Sequence, residues 1–320
     1  MSAITRHPSG SVLNESAVIE CQGHPPYAWE QVEVVSLSHD EQMGTKDKGW
    51  TRFGGEDWLF KKATSDHAFI RGEDWAEGLV HVIARLLDIP SACIALATHN
   101  GDRGLLSRKF VSAQQALLHG NELLSLLMPH DYDSTINRTQ RNPHYTLKNI
   151  ARALGEVKGP APYAQLPAMD VFAGYLMLDA LVAGTDRHHA NWAVVKEPSS
   201  ELSLAPTFDH GNAFGYNIHP SKVHSYLTNS DQFDSFLGRG KCRYFPDRPN
   251  LVELAKQGLG MASLESRRYW LEQLRKLDLS EIAQAAQTMP EAVLSEPRRR
   301  LALKIVQGNR RRLLNALAVG

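Results

Sequence analysis

The stretch GTDRHHANWAVV, residues 184–195, decides how the rest of the chain is read. It sets Asp186, Arg187, two histidines and Asn191 close together, then runs into apolar residues that read as a strand, NWAVVK at 191–196. A carboxylate and a side-chain amide five residues apart at a strand mouth suit two tasks together. One is handling the proton of a hydroxyl, and the other is presenting a hard oxygen donor to a cation.

Working outward, a long apolar segment precedes this stretch. AMDVFAGYLMLDALVAG (168–184) reads as a buried helix that delivers the chain into the polar cluster. Downstream, LSLAPTFDHGNAFG (202–215) reads as a strand ending at Asp209, 18 residues after Asn191. Upstream lie QVEVVSLS (31–38) and DWLFKKA (57–63) as strands, with the glycine-bounded basic turn MGTKDKG (43–49) between them. GEDWAEGLVHVIARLLDIP (72–90) is an amphipathic helix: Trp75, Leu79, Val82, Ile83, Leu86 and Leu87 recur at helical spacing, and Pro90 closes it. SACIALATH and RGLLSRKFVS follow as strands. From about residue 113 the pattern is helical: AQQALLHGNELLSLLM, TLKNIARAL and, in the tail, LVELAKQGLGMA through LALKIVQGNRRRLLNALAVG. Residues 1–28 read as a loose lead-in. The order predicts an α+β protein, with a strand-rich unit over 1–112, a larger helical unit over 113–320, and a cleft between them.

Composition narrows the function classes. The 320 residues are 42% hydrophobic and 22% charged, and 35 Lys and Arg balance 35 Asp and Glu. Bulk charge therefore gives no argument for binding a membrane or nucleic acid. The N-terminus is polar without an apolar signal core, and no run approaches a bilayer span, so the expectation is cytoplasmic. Cys21, Cys93 and Cys242 are far apart and odd in number, which favours free thiols in a reducing compartment over a disulfide scaffold.

Four features gain meaning together: Asp186 with Asn191, Asp209, Lys61 or Lys62, and a following helix with acids at Glu73 and Glu77. Singly, each is more often a surface or turn feature. In this order they are the inventory of phosphoryl transfer from a nucleotide. One carboxylate orients the attacking hydroxyl, a second carboxylate and an amide hold Mg²⁺, and a lysine steadied by a helical glutamate pairs with the phosphates.

The segments GTDRHHANWAVV and LAPTFDHGNAFG resemble the catalytic and metal-binding segments of HipA-like kinases and of the wider phosphoinositide-kinase-like group. The resemblance covers roughly residues 43–215. It implies a two-lobed, protein-kinase-like fold using ATP and Mg²⁺. It makes Asp186 the catalytic aspartate and Asn191 and Asp209 the metal ligands. Lys61 becomes the nucleotide lysine, with Glu77 its partner and Glu73 the reserve. Lys62 should face away, since adjacent strand residues point to opposite sides. Gly44, Thr45 and Lys46 would cover the phosphates. His188 would be a hydrogen-bonding residue beside Asp186, and His189 exposed. His210 stands where DFG motifs carry phenylalanine.

For activity the resemblance implies a protein serine/threonine kinase, extending to the toxin of a toxin–antitoxin pair with a small helix-turn-helix partner. Ser107, Ser125 and Ser134 are open as autophosphorylation sites. A small-molecule or lipid-headgroup kinase and a nucleotide-binding pseudokinase are the alternatives. The tail EPRRRLALKIVQGNRRRLL (296–314) carries two arginine triplets. They read first as a solvated helix face, with Leu301, Ile305, Leu313 and Leu317 packed inward, and second as a docking patch.

Overall fold

Each of the two central hairpins is closed by a pair of residues with positive φ: Gly54 and Gly55 in one, Asn100 and Gly101 in the other. Two-residue turns of this kind match the right-handed twist of the strands they join. The first joins β4 (Lys48–Phe53) to β5 (Glu56–Lys62), the second β6 (Ile94–His99) to β7 (Asp102–Arg108). With β3 (Val32–Val34) they form a five-stranded sheet of order β3-β6-β7-β5-β4, parallel at β3–β6 and antiparallel elsewhere. The two-residue strands β1 (Thr5–Arg6) and β2 (Val12–Leu13) pair with each other. This is a computed structural model that describes residues 5–6, 12–13, 20–38, 48–65, 69–135 and 142–318.

Alternation along β5 sorts the lysines. Trp58 and Phe60 bury into a core on one face with Val32, Val34, Phe53 and Leu106. Each such side chain contributes about 1.5–3 kcal/mol. Leu59 and Lys61 face the other way, into the cleft described below, while Lys62 pairs with Asp102 at 2.7 Å.

Helix α1 (Glu73–Leu86) is buried over most of its length. Its apolar residues join a continuous core with those of the later helices. The most enclosed of those is α4 (Ala168–Val182), apolar and buried on all sides, and it ends where Ala183 takes the left-handed conformation. Around it lie α2 (Gly120–Leu127), α3 (Leu147–Ala153), α5 (Pro220–Thr228), α6 (Ser230–Gly238), α7 (Leu251–Met261), α8 (Leu264–Lys276), α9 (Leu279–Thr288) and α10 (Glu296–Ala318). A second antiparallel sheet, of order β10-β9-β8, comprises β8 (Ala116–His119), β9 (Ala193–Lys196) and β10 (Leu202–Leu204). No helix among the described residues is long and apolar enough to cross a membrane.

Several expectations are corrected. The helical reading of 113–128 fails at its start, because 116–119 pair with β9 from beyond the central helix. Long-range pairing overrides the local period there. The strand expected over 202–215 stops at Leu204. Pro206 cannot donate to a ladder, and Asp209 and Phe214 take positive φ. Lys48 and Gly49, read as turn, open β4. The end of the lead-in is anchored rather than loose: Tyr27 is buried, and just after it Trp29 is buried with its Nε1 donating to Ala285 O at 3.0 Å.

Cys21 and Cys93, expected as free thiols, form a disulfide with their Cα atoms 5.3 Å apart, while Cys242 is free and buried. The fold brings together residues 72 apart in sequence. In the chain-entropy picture a closed loop of this size stabilises by about 4 kcal/mol. Urea unfolding of Cys21→Ser/Cys93→Ser should therefore show a loss of up to about that size relative to the oxidised protein. An unchanged midpoint would show that the bridge does not constrain the chain.

The arginine-rich tail also departs from a solvated face. Leu301, Ile305, Leu313 and Leu317 are buried as expected. The cations of α10, however, reach the carbonyl ends of four other helices. Arg299 donates to Ala286 O and Met289 O at the end of α9 (3.0 and 2.7 Å). Lys304 donates to Tyr226 O and Leu227 O at the end of α5 (2.8 and 3.2 Å). Arg310 bonds the carbonyls of Leu274 and Arg275 in α8, and Arg312 that of Leu237 in α6 at 2.9 Å. Cations at helix C-termini satisfy orphan carbonyls and complement the helix dipole. A docking patch loses most of its cations to these bonds.

Candidate active site

Strand β5 and the loops after α4 and β10 converge on one cleft of about 450 Å³. Trp50, Leu59, Phe110, Val111, Leu117 and Phe208 give it an apolar wall, beside which Lys48, Arg108 and Lys109 also line it. Its polar end holds Lys61, His188, Asn191, Asp209 and Tyr244.

At the polar end, Lys61 Nζ lies 3.2 Å from Glu77 Oε1 and 3.6 Å from Asp209 Oδ1. Burial alone would lower the lysine pKa, but the Glu77 and Asp209 carboxylates outweigh it and hold the ammonium well above its ordinary value. Lys61 is thus a permanent cation joining the sheet to the loop that carries Asp209. Glu73 does not compete for it. Its carboxylate accepts from Thr64 Oγ1 at 2.5 Å and from Thr64 N–H at 3.3 Å, fixing the strand-to-helix connection. Lys61 thus pairs with Glu77, and Thr64 with Glu73. Accordingly, Glu77→Gln should raise the KM for ATP or lower kcat by roughly 10–100-fold, the range for losing a residue that orients a ligand-binding group. Glu73→Gln should leave steady-state kinetics near wild type. Equal losses in both variants would refute the assignment.

The loop 184–191 is held from beneath. Arg187, 4% exposed, forks onto Asp179 of α4 with two bonds of 2.8 Å. It also donates to Asn191 O at 2.5 Å and Thr207 Oγ1 at 3.1 Å. Asn191 Nδ2 donates to Asp186 O at 2.7 Å, which turns the amide oxygen to the other corner of the group. Asp186 Oδ1 accepts from Tyr244 OH at 2.5 Å. His188 Nδ1 accepts from Ala190 N–H at 3.1 Å, and its ring meets that of Tyr244 edge-on at 5.1 Å. His189, expected to be exposed, is half-buried, with its Nδ1 2.7 Å from Tyr132 OH. Burial lowers its pKa, so it sits as a neutral ring among aromatic neighbours.

The residue in the phenylalanine place of DFG is fixed by polar contacts. His210 Nε2 is 2.8 Å from Thr207 Oγ1, and Nδ1 is 3.6 Å from Asp179 Oδ1. Burial first, and then the Arg187 charge, hold its pKa well below the ordinary value, so the ring is neutral. The neighbouring Asp209 adopts φ 60°, a conformation aspartate tolerates better than most residues, and this turns its carboxylate toward Lys61.

Of the residues singled out in the sequence, Lys61, His188, Asn191 and Asp209 line the cleft; Glu77 joins it through Lys61, and Asp186 through Tyr244 and Asn191. Gly44, Thr45 and Lys46 lie outside the described residues. Sequence reasoning missed Asp179 and Arg187, which fix the loop from below, Tyr244, and the apolar wall. The eight-residue spacing of Asp179 and Arg187 across a helix end was the one local signal available; Tyr244 had none. Of the three serines, Ser134 and Ser107 line the cleft, the latter buried in β7, while Ser125 donates to Asn121 O on α2.

The donor set fits a hard cation. A carboxylate at Asp209 and an amide oxygen at Asn191 are the one-carboxylate complement that Mg²⁺ usually takes, leaving the rest to phosphate and water. Among the described residues there is no cluster of three or more His, Cys, Asp or Glu that could hold a metal ion by itself.

No protein-family profile matches the chain, and no curated protein matches it in sequence. Solved structures do match. The proinflammatory kinase CtkA of Helicobacter pylori superposes with a TM-score of 0.69 at 15% identity, over 89% of this chain and 94% of that one. HipA of Shewanella oneidensis MR-1, solved with HipB and operator DNA, superposes with a TM-score of 0.52 at 12% identity. That match covers 87% of this chain but 64% of the HipA chain, so the chain spans less than two thirds of HipA. At these identities the likeness is one of fold, and the chain has the two-lobed α+β fold of the HipA-like kinases.

Proposed function

We propose that the protein is an ATP- and Mg²⁺-dependent kinase that phosphorylates serine or threonine of a protein acceptor. The observation that carries this reading is the junction of Lys61 with both Glu77 and Asp209 in a cleft that also has an apolar wall. A purine fits the apolar slot, and its phosphates then lie toward Lys61. Glu77 keeps the lysine aimed. Asn191 and Asp209 would hold the magnesium ion, which when bound neutralises phosphate charge. Asp186 accepts the hydrogen bond of the attacking hydroxyl and takes its proton as the oxygen–phosphorus bond forms and ADP leaves. Tyr244 fixes the rotamer of that carboxylate, and His188 supports the loop from within. Gly44, Thr45 and Lys46 remain our choice for the phosphate cover. We place the division between the lobes at residues 112 and 113.

The intact Asp186 favours transfer over mere nucleotide binding, which needs no proton-handling carboxylate. A toxin role, with a small helix-turn-helix partner, draws support from the HipA neighbour, which was solved with HipB. No direct contact of this chain with nucleic acid belongs to the proposal. A cytoplasmic setting is retained, although the Cys21–Cys93 bridge is a feature commoner in oxidising compartments.

The test is incubation of the purified protein with γ-labelled ATP, Mg²⁺ and a lysate of protein acceptors, with a chelated control. Label on protein serine or threonine, lost on chelation, is the expected result. Label confined to a lipid or small-molecule fraction would overturn the protein acceptor, and absence of any transfer would overturn the kinase assignment.

A further inference from the structure

The segment from Arg239 to Arg248 runs past the proton-accepting end of the cleft, and its inner side is committed. Cys242 is buried with Sγ 3.8 Å from Arg187 O, Tyr244 donates to Asp186, and Phe245 is buried against Tyr145, ring centroids 4.7 Å apart. The outer side carries Arg239, Lys241 and Arg243 at alternate positions, all exposed, followed by exposed Arg248. Asp247 is the one acid within this run. None of the four cations makes an ion pair among the described residues. This contrasts with Arg299, Arg310 and Arg312 of α10, which are spent on helix ends. In a chain of zero net charge, four uncommitted cations within ten residues form a local positive field.

We propose that this loop selects acceptor segments that carry aspartate or glutamate beside the hydroxyl residue. The inference rests on Asp186 being the site of hydroxyl attack. Tyr244 ties that carboxylate to the loop, so in this proposal an acceptor chain whose hydroxyl reaches Asp186 enters over the loop's exposed side, where Arg239, Lys241 and Arg243 stand. A protein segment fits better than nucleic acid. The two aromatic rings of the loop are turned inward, leaving no platform for stacking bases. The cations also span a single short loop rather than a track along many phosphates.

The experiment compares two serine peptides of equal length, one flanked by glutamates and one by lysines. Phosphoryl transfer is measured with ATP and Mg²⁺, and binding by fluorescence anisotropy with the serine replaced by alanine. The glutamate peptide should show roughly tenfold higher kcat/KM, the combined size of a few exposed charge contacts. Its advantage should shrink in high salt. Arg239→Glu/Lys241→Glu/Arg243→Glu should abolish or invert the preference while leaving ATP affinity unchanged, and the milder glutamine triple should weaken it without risk to folding. Transfer without charge preference, or a preference that survives charge reversal, overturns the proposal and leaves the kinase reading standing. Preferential binding lost on reversal, with no transfer to any peptide, keeps the acidic-segment surface and overturns the kinase reading instead. A single-stranded RNA that binds this loop more tightly than the glutamate peptide would replace the protein acceptor with nucleic acid.

Discussion

Asp186→Asn is expected to lower phosphoryl transfer by about 10²–10⁴-fold while leaving ATP affinity unchanged. The amide keeps the shape of the carboxylate and can still accept the Tyr244 hydroxyl, so the loop geometry survives. What it cannot do is take a proton from the attacking hydroxyl. Asp209→Ala should be at least as damaging to transfer, with a different signature. It removes one of the two carboxylates that face Lys61 and a donor for the cation, so ATP affinity in the presence of Mg²⁺ falls as well. Single-turnover transfer together with nucleotide titration separates the two cases. Loss of ATP binding in Asp186→Asn would mean that this carboxylate belongs to the nucleotide clamp, and the assignment of roles would have to be reversed.

Arg187→Met is expected to cost about 3–5 kcal/mol of stability, the penalty for leaving a buried charge uncompensated. Arg187 and Asp179 are almost wholly enclosed and share two 2.8 Å bonds. Burial alone would lower the guanidinium pKa, but Asp179 outweighs it and keeps the cation charged. Removing it strands the Asp179 carboxylate, and also frees Asn191 O and Thr207 Oγ1. Arg187→Met/Asp179→Leu should recover much of the stability, since an apolar pair of similar volume does not pay the desolvation cost. It should not recover activity, because the contacts that register the 184–191 loop against Thr207 stay lost. Urea unfolding of the two variants, followed by transfer assays on the double variant, checks both halves. A double variant that is active would show the fork to be dispensable for positioning.

The legible part of the protein was local. A strand's two-residue period sorted Lys61 from Lys62, helical spacing marked α1, and a long apolar run marked α4. The roles given to Asp186, Asn191 and Asp209 came from the resemblance of their two segments to those of HipA-like kinases, which is legible because each motif is contiguous in sequence. The resemblance favoured Glu77 over Glu73, but the residues alone did not decide between them. Both lie on α1, and their division of labour depends on Thr64, whose carboxylate partner only the strand-to-helix geometry defines. Tyr244, 58 residues beyond Asp186, and the Cys21–Cys93 pair depend on chain crossings that no window of sequence contains. Strand β8 looked helical for the same reason, since its partner comes from beyond α4. The arginine triplets misled in another way: charge on a helix usually means solvent, and here it meets other helices end-on.

That arrangement of α10 has a consequence for biosynthesis. Helices α5, α6, α8 and α9 each leave carbonyls at one end for a cation that lies between residues 299 and 312. While the ribosome is still making α8 and α9, those ends can be met only by water, and Leu301, Ile305 and Leu313 are not yet present to close the apolar core beneath them. The helical half of the molecule therefore reaches its native packing only when α10 has emerged from the exit tunnel. Until then the nascent chain presents partly open helix ends and core to the cell's chaperones.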